Sequence, residues 1–159
     1  MGRLPYPTVP TMLQVLRIIH RGRWRGFRSA PLVPNKLLGL SVLLVDDDPM
    51  SVRLLRAALS AEGCSLDAAA SGKEALEKIL ECRPDLVVLD LILPDFAGLD
   101  LIRTLKADEA TRDIVIVVVT TRNGPTTEAA VLQAGASAYV RKPIDPLVLP
   151  GTLARHAAR

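Results

Sequence analysis

The chain has 159 residues, 49% of them apolar, enough for one well-packed domain and too few for two ordinary ones. Its two cysteines, Cys64 and Cys82, cannot staple a secreted scaffold and sit in no zinc-type spacing, so buried free thiols in a reducing cytosol are expected. The net charge of +3 hides an asymmetry: residues 1–39 carry seven Lys/Arg and no acid, leaving thirteen Lys/Arg against seventeen acids, a net −4, from residue 40 onward.

The leader concentrates Arg17, Arg21, Arg23, Arg25 and Arg28 around Trp24 and Phe27, a pattern able to contact phosphates of nucleic acid or an anionic membrane surface. Pro5, Pro7, Pro10, Pro31 and Pro34 make a poorly ordered basic tail over residues 1–39 the simpler expectation, with nucleic acid reached only through it. The short apolar patch Met12 to Ile19 is broken by Gln14 and Arg17 and followed by arginines, the wrong polarity for a secretory leader. The longest apolar stretches, such as Ile114 to Val119, fall far below the ~20 residues of a membrane-spanning helix. A cytoplasmic domain over residues 40–159 is therefore expected.

From Leu40 onward, short apolar runs alternate with helical patterns, which specifies parallel strands joined by crossover helices. The first strand is expected at Ser41–Val45, followed by a helix with Asp48 as N-cap and Pro49 at N1 that ends by Gly63. The run Ser65–Ala69 carries Asp67 and small residues and suits a sheet edge. Ser71 and Glu74, in capping-box spacing, open a second helix with Ala75, Leu76, Ile79 and Leu80 on one stripe, before Pro84 prevents continuation. A third strand, Leu86–Leu89, leads to a helix over about Leu99–Ala107. A fourth strand, Ile114–Val119, leads to a helix over about Thr127–Ala134 closed by Gly135. The fifth strand is Ala138–Val140. The last helix either begins at Pro146 with a kink at Pro150 and Gly151, or starts only after Gly151. Three of the five runs are nearly continuous Val, Leu and Ile, the signature of strands covered on both faces, and belong mid-sheet.

In parallel α/β sheets ligands collect outside the C-terminal strand ends, so the residues that follow each apolar run are the informative ones. The first run ends in Asp46-Asp47-Asp48, the third in Asp90 and the fourth in Thr120, while the fifth is followed by Lys142-Pro143. Three carboxylates, a hydroxyl and an ammonium would thus converge on one rim. Hard oxygen ligands in that number suit Mg²⁺, which is usually held by one or two carboxylates plus phosphate oxygens. Phosphoryl transfer needs mostly positioning and charge neutralisation, and these residue types supply both.

Each residue taken alone has a plainer explanation. Asp48 suits a helix cap, Asp46 and Asp47 a solvated turn, Thr120 a strand, Lys142 the surface and Tyr139 a core aromatic. Asp90 is harder to explain away, because a carboxylate directly after a buried strand is costly unless paired. The bond before Pro143 is a candidate for the cis form.

These elements in this order resemble the two-component response-regulator receiver family, in its stand-alone, chemotaxis-regulator-like form. The matching residues are Val-Asp46-Asp47-Asp48-Pro, Pro84-Asp85-Leu-Val-Val-Leu-Asp90, Leu93-Pro94, Gly98, Val-Thr120 and Gly135-Ala-Ser-Ala-Tyr139-Val-Arg-Lys142-Pro143, spanning residues 40 to about 150. The resemblance implies a doubly wound, flavodoxin-like α/β fold with a five-stranded parallel sheet in the order 2-1-3-4-5 and helices on both faces. It implies Asp90 as phosphoacceptor and a Mg²⁺ site of Asp46, Asp47, Asp90 and the Ile92 backbone carbonyl, with Asp46 acting mostly through a metal-bound water. Thr120 and Lys142 would contact the phosphoryl group, and Thr120 and Tyr139 would report it by moving together. A sensor histidine kinase or histidine phosphotransfer protein would be the donor, slow self-catalysed hydrolysis would reset the switch, and a protein partner would read it, since no output domain follows Arg159. Thr121 is bulkier than the family's usual residue, and Ile92 and Arg122 occupy positions that tune the lifetime of the phosphorylated state. Two other readings are open: a phosphorylation-independent interaction module of the same fold, and a Mg²⁺-dependent aspartyl phosphohydrolase using Asp46 and Asp48 as an Asp-x-Asp pair.

Overall fold

A computed structural model describes residues 37–157. The expectation of a poorly ordered basic tail falls almost wholly on residues 1–36, outside that span. In chain order the elements are β1 (Ser41–Val45), α1 (Pro49–Leu59), β2 (Ser65–Ala69), α2 (Gly72–Cys82), β3 (Leu86–Leu89), α3 (Gly98–Ala107), β4 (Val115–Thr120), α4 (Pro125–Gln133), β5 (Ala138–Arg141) and α5 (Leu149–Ala157). The strands form one parallel sheet in the order β2-β1-β3-β4-β5. The Ser65–Ala69 run is an edge, as its composition predicts.

Alternation along the strands divides the core. Leu43, Val45, Val87, Leu89, Ile116 and Val118 face one side, against Ala75 and Ile79 of α2, Leu101, Ile102 and Leu105 of α3, and Val131 of α4. Val42, Leu44, Leu86, Val88, Val117 and Val119 face the other, against Leu55 and Leu59 of α1 and Leu149 and Leu153 of α5. A continuous apolar run is required because successive side chains point to opposite covered faces. At about 1.5–3 kcal/mol per fully buried large aliphatic, these two layers dominate the favourable side of folding. The packed body takes in Leu37, fully buried in the second layer, inside the stretch assigned to the leader.

Several boundaries differ from expectation, each for a local reason. α1 ends at Leu59, and the turn that follows brings Gly63 (φ 70°) to accept from the Gly39 amide at 3.0 Å. β4 runs one residue later, so Thr120 is its last residue rather than the first beyond it. α3 begins one residue early, at Gly98, and α4 two residues early, at Pro125, with Gly124 (φ 127°) as its cap. α5 neither starts at Pro146 nor waits for Gly151. It begins at Leu149 and keeps Pro150 in the first turn, where a missing amide proton costs nothing. Asp145 shapes the preceding turn, its side chain accepting from the Leu147 amide at 2.9 Å.

The cysteines are not both buried. Cys64 is half-buried, and burial pushes its thiol pKa up. Cys82 is exposed, because α2 buries Ala75 and Ile79 and Cys82 lies one turn beyond them; Leu80 likewise faces solvent. Among the described residues no helix is long and apolar enough to cross a membrane.

Candidate functional site

The site is built where β1 and β3 run out side by side. The Asp46 amide donates to the Ala69 carbonyl at 3.1 Å and the Asp90 amide to the Val45 carbonyl at 2.8 Å, so both aspartates sit on the last rungs of the sheet. Asp46 and Asp90 are 3% and 6% exposed, and Thr120, at the end of β4, is fully buried. Lys142 lies just past β5, its amide donating to the Thr120 carbonyl at 2.9 Å, and the Lys142–Pro143 peptide is cis. Its Nζ lies 2.6 Å from Asp46 Oδ2 and 2.6 Å from Asp90 Oδ2. One ammonium thus bridges carboxylates 96 and 52 residues away in sequence.

Two buried carboxylates so close would repel each other and pay a large desolvation cost without that charge between them. Burial alone would push the Lys142 ammonium pKa down. Hydrogen bonds to Asp46 and Asp90 outweigh burial and hold it above its ordinary value. The other carboxylate oxygens are held by backbone: Asp46 Oδ1 accepts from the Asp48 amide and Asp90 Oδ1 from the Ile92 amide, each at 3.0 Å. Among the described residues no buried side-chain nitrogen or oxygen lacks a partner. Both carboxylates are therefore fixed in orientation.

Thr120 and Tyr139 are joined through one residue. The Arg122 amide donates to Thr120 Oγ1 at 3.3 Å, and the Arg122 carbonyl accepts from the Tyr139 hydroxyl. A displacement of Thr120 would reach Tyr139 through the Arg122 backbone. Asp47 and Ile92 remain at the rim. Asp47 is exposed and does not join the Lys142 cluster, and the Ile92 side chain is 47% exposed while its amide serves Asp90. Asp48 is committed to capping α1, accepting from the Met50 amide at 3.0 Å and the Ser51 amide at 3.3 Å.

The expected convergence of three carboxylates is thus a convergence of two, with the third beside them. Among the described residues no three acidic, thiol or imidazole side chains stand close enough to cage a metal by themselves. The donor chemistry still fits Mg²⁺, whose preference is for one or two carboxylates, retained waters and phosphate oxygens. Asp46 and Asp90 would supply the carboxylates, and exposed Asp47 and the Ile92 carbonyl are within the same strand-end loops.

The β3–α3 loop rests on contacts that no short-range pattern announces. The Gly98 amide donates to the Leu91 carbonyl at 3.1 Å, and a side chain at Gly98 would put its Cβ 2.6 Å from Leu91 Cα and 2.9 Å from the Asp90 carbonyl. Only glycine permits this approach of α3 to the phosphoacceptor candidate. Asp95 accepts from the Gly72 and Lys73 amides, at 2.8 and 3.0 Å, at the start of α2. Asp85 accepts from Ser41 N and Oγ, both at 2.8 Å, tying the starts of β1 and β3 at the opposite end of the sheet from the site. Sequence reading passed over the roles of Asp95 and Asp85 because their contacts span 22 to 44 residues.

Comparison with known proteins converges on one family. Residues 42–154 match the family model described as the response regulator receiver domain. The chain is 39% identical over 105 residues to the DNA-binding response regulator MtrA of Mycolicibacterium smegmatis, covering 66% of this chain and 45% of that one. It is 36% identical over 105 residues to the polar-differentiation response regulator DivK of Brucella ovis, covering 66% of this chain and 85% of that one. The chain therefore spans less than half of MtrA and most of DivK. The fold is shared with the chemotaxis response regulator CheY4 of Vibrio cholerae, at TM-score 0.69 and 27% identity, over 74% of this chain and 98% of that one.

Proposed function

The chain belongs to the response regulator receiver domain family, and from that premise we propose that Asp90 accepts a phosphoryl group from a phosphohistidine donor and that Thr120 and Tyr139 relay its arrival. The observation that carries this reading is the Lys142 ammonium, 2.6 Å from both Asp46 and Asp90 at the buried strand ends. That geometry supports a nucleophilic role for Asp90. Its Oδ1 is steadied by the Ile92 amide and its Oδ2 by Lys142, so the carboxylate is oriented before a donor arrives.

In the transfer, an Asp90 oxygen forms the new bond to phosphorus as the bond to the donor imidazole nitrogen breaks. Lys142, already positively charged, would follow the phosphoryl oxygens as negative charge accumulates there, and the Thr120 hydroxyl would donate to another of them. Mg²⁺, held by Asp46, Asp47, Asp90 and the Ile92 carbonyl, would supply the remaining charge neutralisation when bound. Drawing Thr120 toward the phosphoryl group would strain its bond with the Arg122 amide, and Tyr139, bonded to the Arg122 carbonyl, would change the face formed by α4 and β5. Slow hydrolysis of the acyl phosphate would reset the switch, in the cytoplasm, where its donor kinases act.

Receiver domains of this kind interact with histidine kinases or phosphotransfer proteins, and exposed Met50 at the start of α1 and Leu147 and Val148 ahead of α5 offer apolar docking positions at the site's end of the sheet. The phosphohydrolase reading draws no support, because Asp48, the second member of its Asp-x-Asp pair, is spent on capping α1.

Intact-mass spectrometry after incubation with acetyl phosphate and Mg²⁺ tests the proposal. Wild type should gain one labile phosphoryl group, roughly 80 Da from its composition, only with the metal present, and Asp90→Ala should gain none. A wild type left unmodified by acetyl phosphate and by a phosphohistidine donor would return the protein to the interaction-module reading.

A further inference from the structure

The β3–α3 loop carries Asp90 at one end and the Ile92 carbonyl two residues on, and its far side is bolted to a different helix. Asp95 Oδ1 accepts from the Gly72 amide at 2.8 Å and Oδ2 from the Lys73 amide at 3.0 Å, both in the first turn of α2. Phe96 packs beside them: a Cβ at Gly72 would lie 2.3 Å from Phe96 Cβ, and the Phe96 ring lies against the first core layer. Within the loop, Ile92 and Ala97 form an antiparallel bridge, so the stretch from Asp90 to Gly98 is a short closed hairpin rather than a free strand end. The last residue of β2, just ahead of that helix, also touches the other aspartate, because the Ala69 carbonyl receives the Asp46 amide at 3.1 Å.

We infer that Asp95 is a positioning residue for the phosphoacceptor site, anchoring the hairpin that carries Ile92 to the α2 N-terminus and so fixing the Ile92 carbonyl relative to Asp46 and Asp90. This rests on the proposed phosphoacceptor function. A carboxylate suits the role chemically: it satisfies two amides with no partner inside their own helix, and its negative charge is favoured at a helix N-terminus. The Lys73 and Gly72 amide bonds hold its pKa below the usual aspartate value. Ser71, the helix's own cap, accepts from the Glu74 amide at 3.1 Å, which leaves the Gly72 and Lys73 amides for the loop, and its side chain also hydrogen-bonds Asp95. Asp95 is not one of the residues proposed to hold the metal or the phosphoryl group, and its effect is carried by the rigidity of the hairpin.

The test uses the full chain, with Asp95→Ala, which removes both acceptors, and Asp95→Asn, which retains one oxygen and loses the charge. Two readouts are taken: amide hydrogen exchange at Gly72 and Lys73, and the Mg²⁺ dissociation constant from calorimetric titration with MgCl₂. Asp95→Ala should speed exchange at both amides and weaken Mg²⁺ binding on the order of 10-fold, the scale of outer-shell partners at metal sites. Asp95→Asn should fall between it and wild type. Faster exchange at Gly72 and Lys73 with an unchanged Mg²⁺ constant would reduce Asp95 to a helix cap and overturn the inference. Unchanged exchange would overturn it as well. If Asp95→Ala loses exchange protection throughout β1 and β3, it has unfolded, and Asp95→Asn alone decides between these outcomes. A wild type that binds no Mg²⁺ overturns the phosphoacceptor reading itself, and does so without reference to either variant.

Discussion

Two lysines among the described residues, Lys142 and Lys78, each stand between two carboxylates, and only the first belongs to the candidate site. Lys142 lies 2.6 Å from Asp46 and from Asp90, and both aspartates are nearly inaccessible. Lys78, on α2, lies 3.0 Å from Asp67 and 3.3 Å from Glu74, with the Asp67 side chain 59% exposed. The groups and separations are similar; the surroundings are not. At the edge strand, water competes with every partner, and Lys78 serves to cover β2, also donating to the Ala68 carbonyl at 2.6 Å. At the strand ends, each charge depends on the others because no solvent replaces them. Burial converts the same ion cluster from an edge guard into an arrangement that a phosphoryl group or a divalent cation can reorganise.

Substitution of the two lysines should expose that difference. Lys142→Met, which keeps the aliphatic stem, leaves Asp46 and Asp90 facing each other without a counter-charge and should cost roughly 3–5 kcal/mol. The loss would be read as a lower urea midpoint in metal-free buffer and be partly restored by Mg²⁺. Gly98→Ala tests the tight backbone that surrounds the buried cluster and has no counterpart at the edge. Its Cβ would meet Leu91 and the Asp90 carbonyl, and overpacking of this kind should cost about 1–3 kcal/mol and slow phosphorylation together. Lys78→Met should cost no more than about 1 kcal/mol, with no effect on phosphorylation. Equal losses for the two lysine variants would break the comparison.

The smallest effect lies in pH. The Lys78 hydrogen bond, followed by the Ala68 amide, holds the Asp67 carboxyl below its ordinary value of 3.8. A depressed carboxyl contributes stability that is present above the unfolded value and lost as pH falls through the folded one. A urea midpoint series from pH 5 downward should therefore steepen below about 3.8 in wild type, and Asp67→Asn should remove that part of the slope. An identical slope in both would mean that the exposed pair contributes nothing.

Much of this was legible in the sequence, for a physical reason. β1, β3 and β4 announce themselves because strands covered on both faces must be apolar at every position, and Asp46, Asp90 and Thr120 follow directly as the first polar residue beyond each run or its end, while Lys142 stands one residue past Arg141, just beyond β5. The order of strands was not legible from periodicity, which is blind to which strand pairs with which; it came from the family resemblance. Thr127 looked like a better helix start than Pro125 because the actual cap is Gly124 in a positive-φ conformation, without a side-chain signal. Asp46 and Asp47 both suit a solvated turn when taken alone, yet successive residues at a strand end point apart, and only Asp46 reaches Lys142. Asp95 gave no signal at all, since its partners lie 22 and 23 residues upstream.

The most direct test of the central claim is to map the acceptor itself. The phosphorylated full chain is reduced with borohydride, which converts an aspartyl phosphate to homoserine, and its peptides, those spanning Leu37 to Arg53 and Leu86 to Arg103 among them, are sequenced by mass spectrometry. Homoserine at position 90 and nowhere else is the predicted result. Homoserine at position 46 or 47, or at none, would contradict the assignment of Asp90 and of the Lys142 cluster as the phosphoacceptor site.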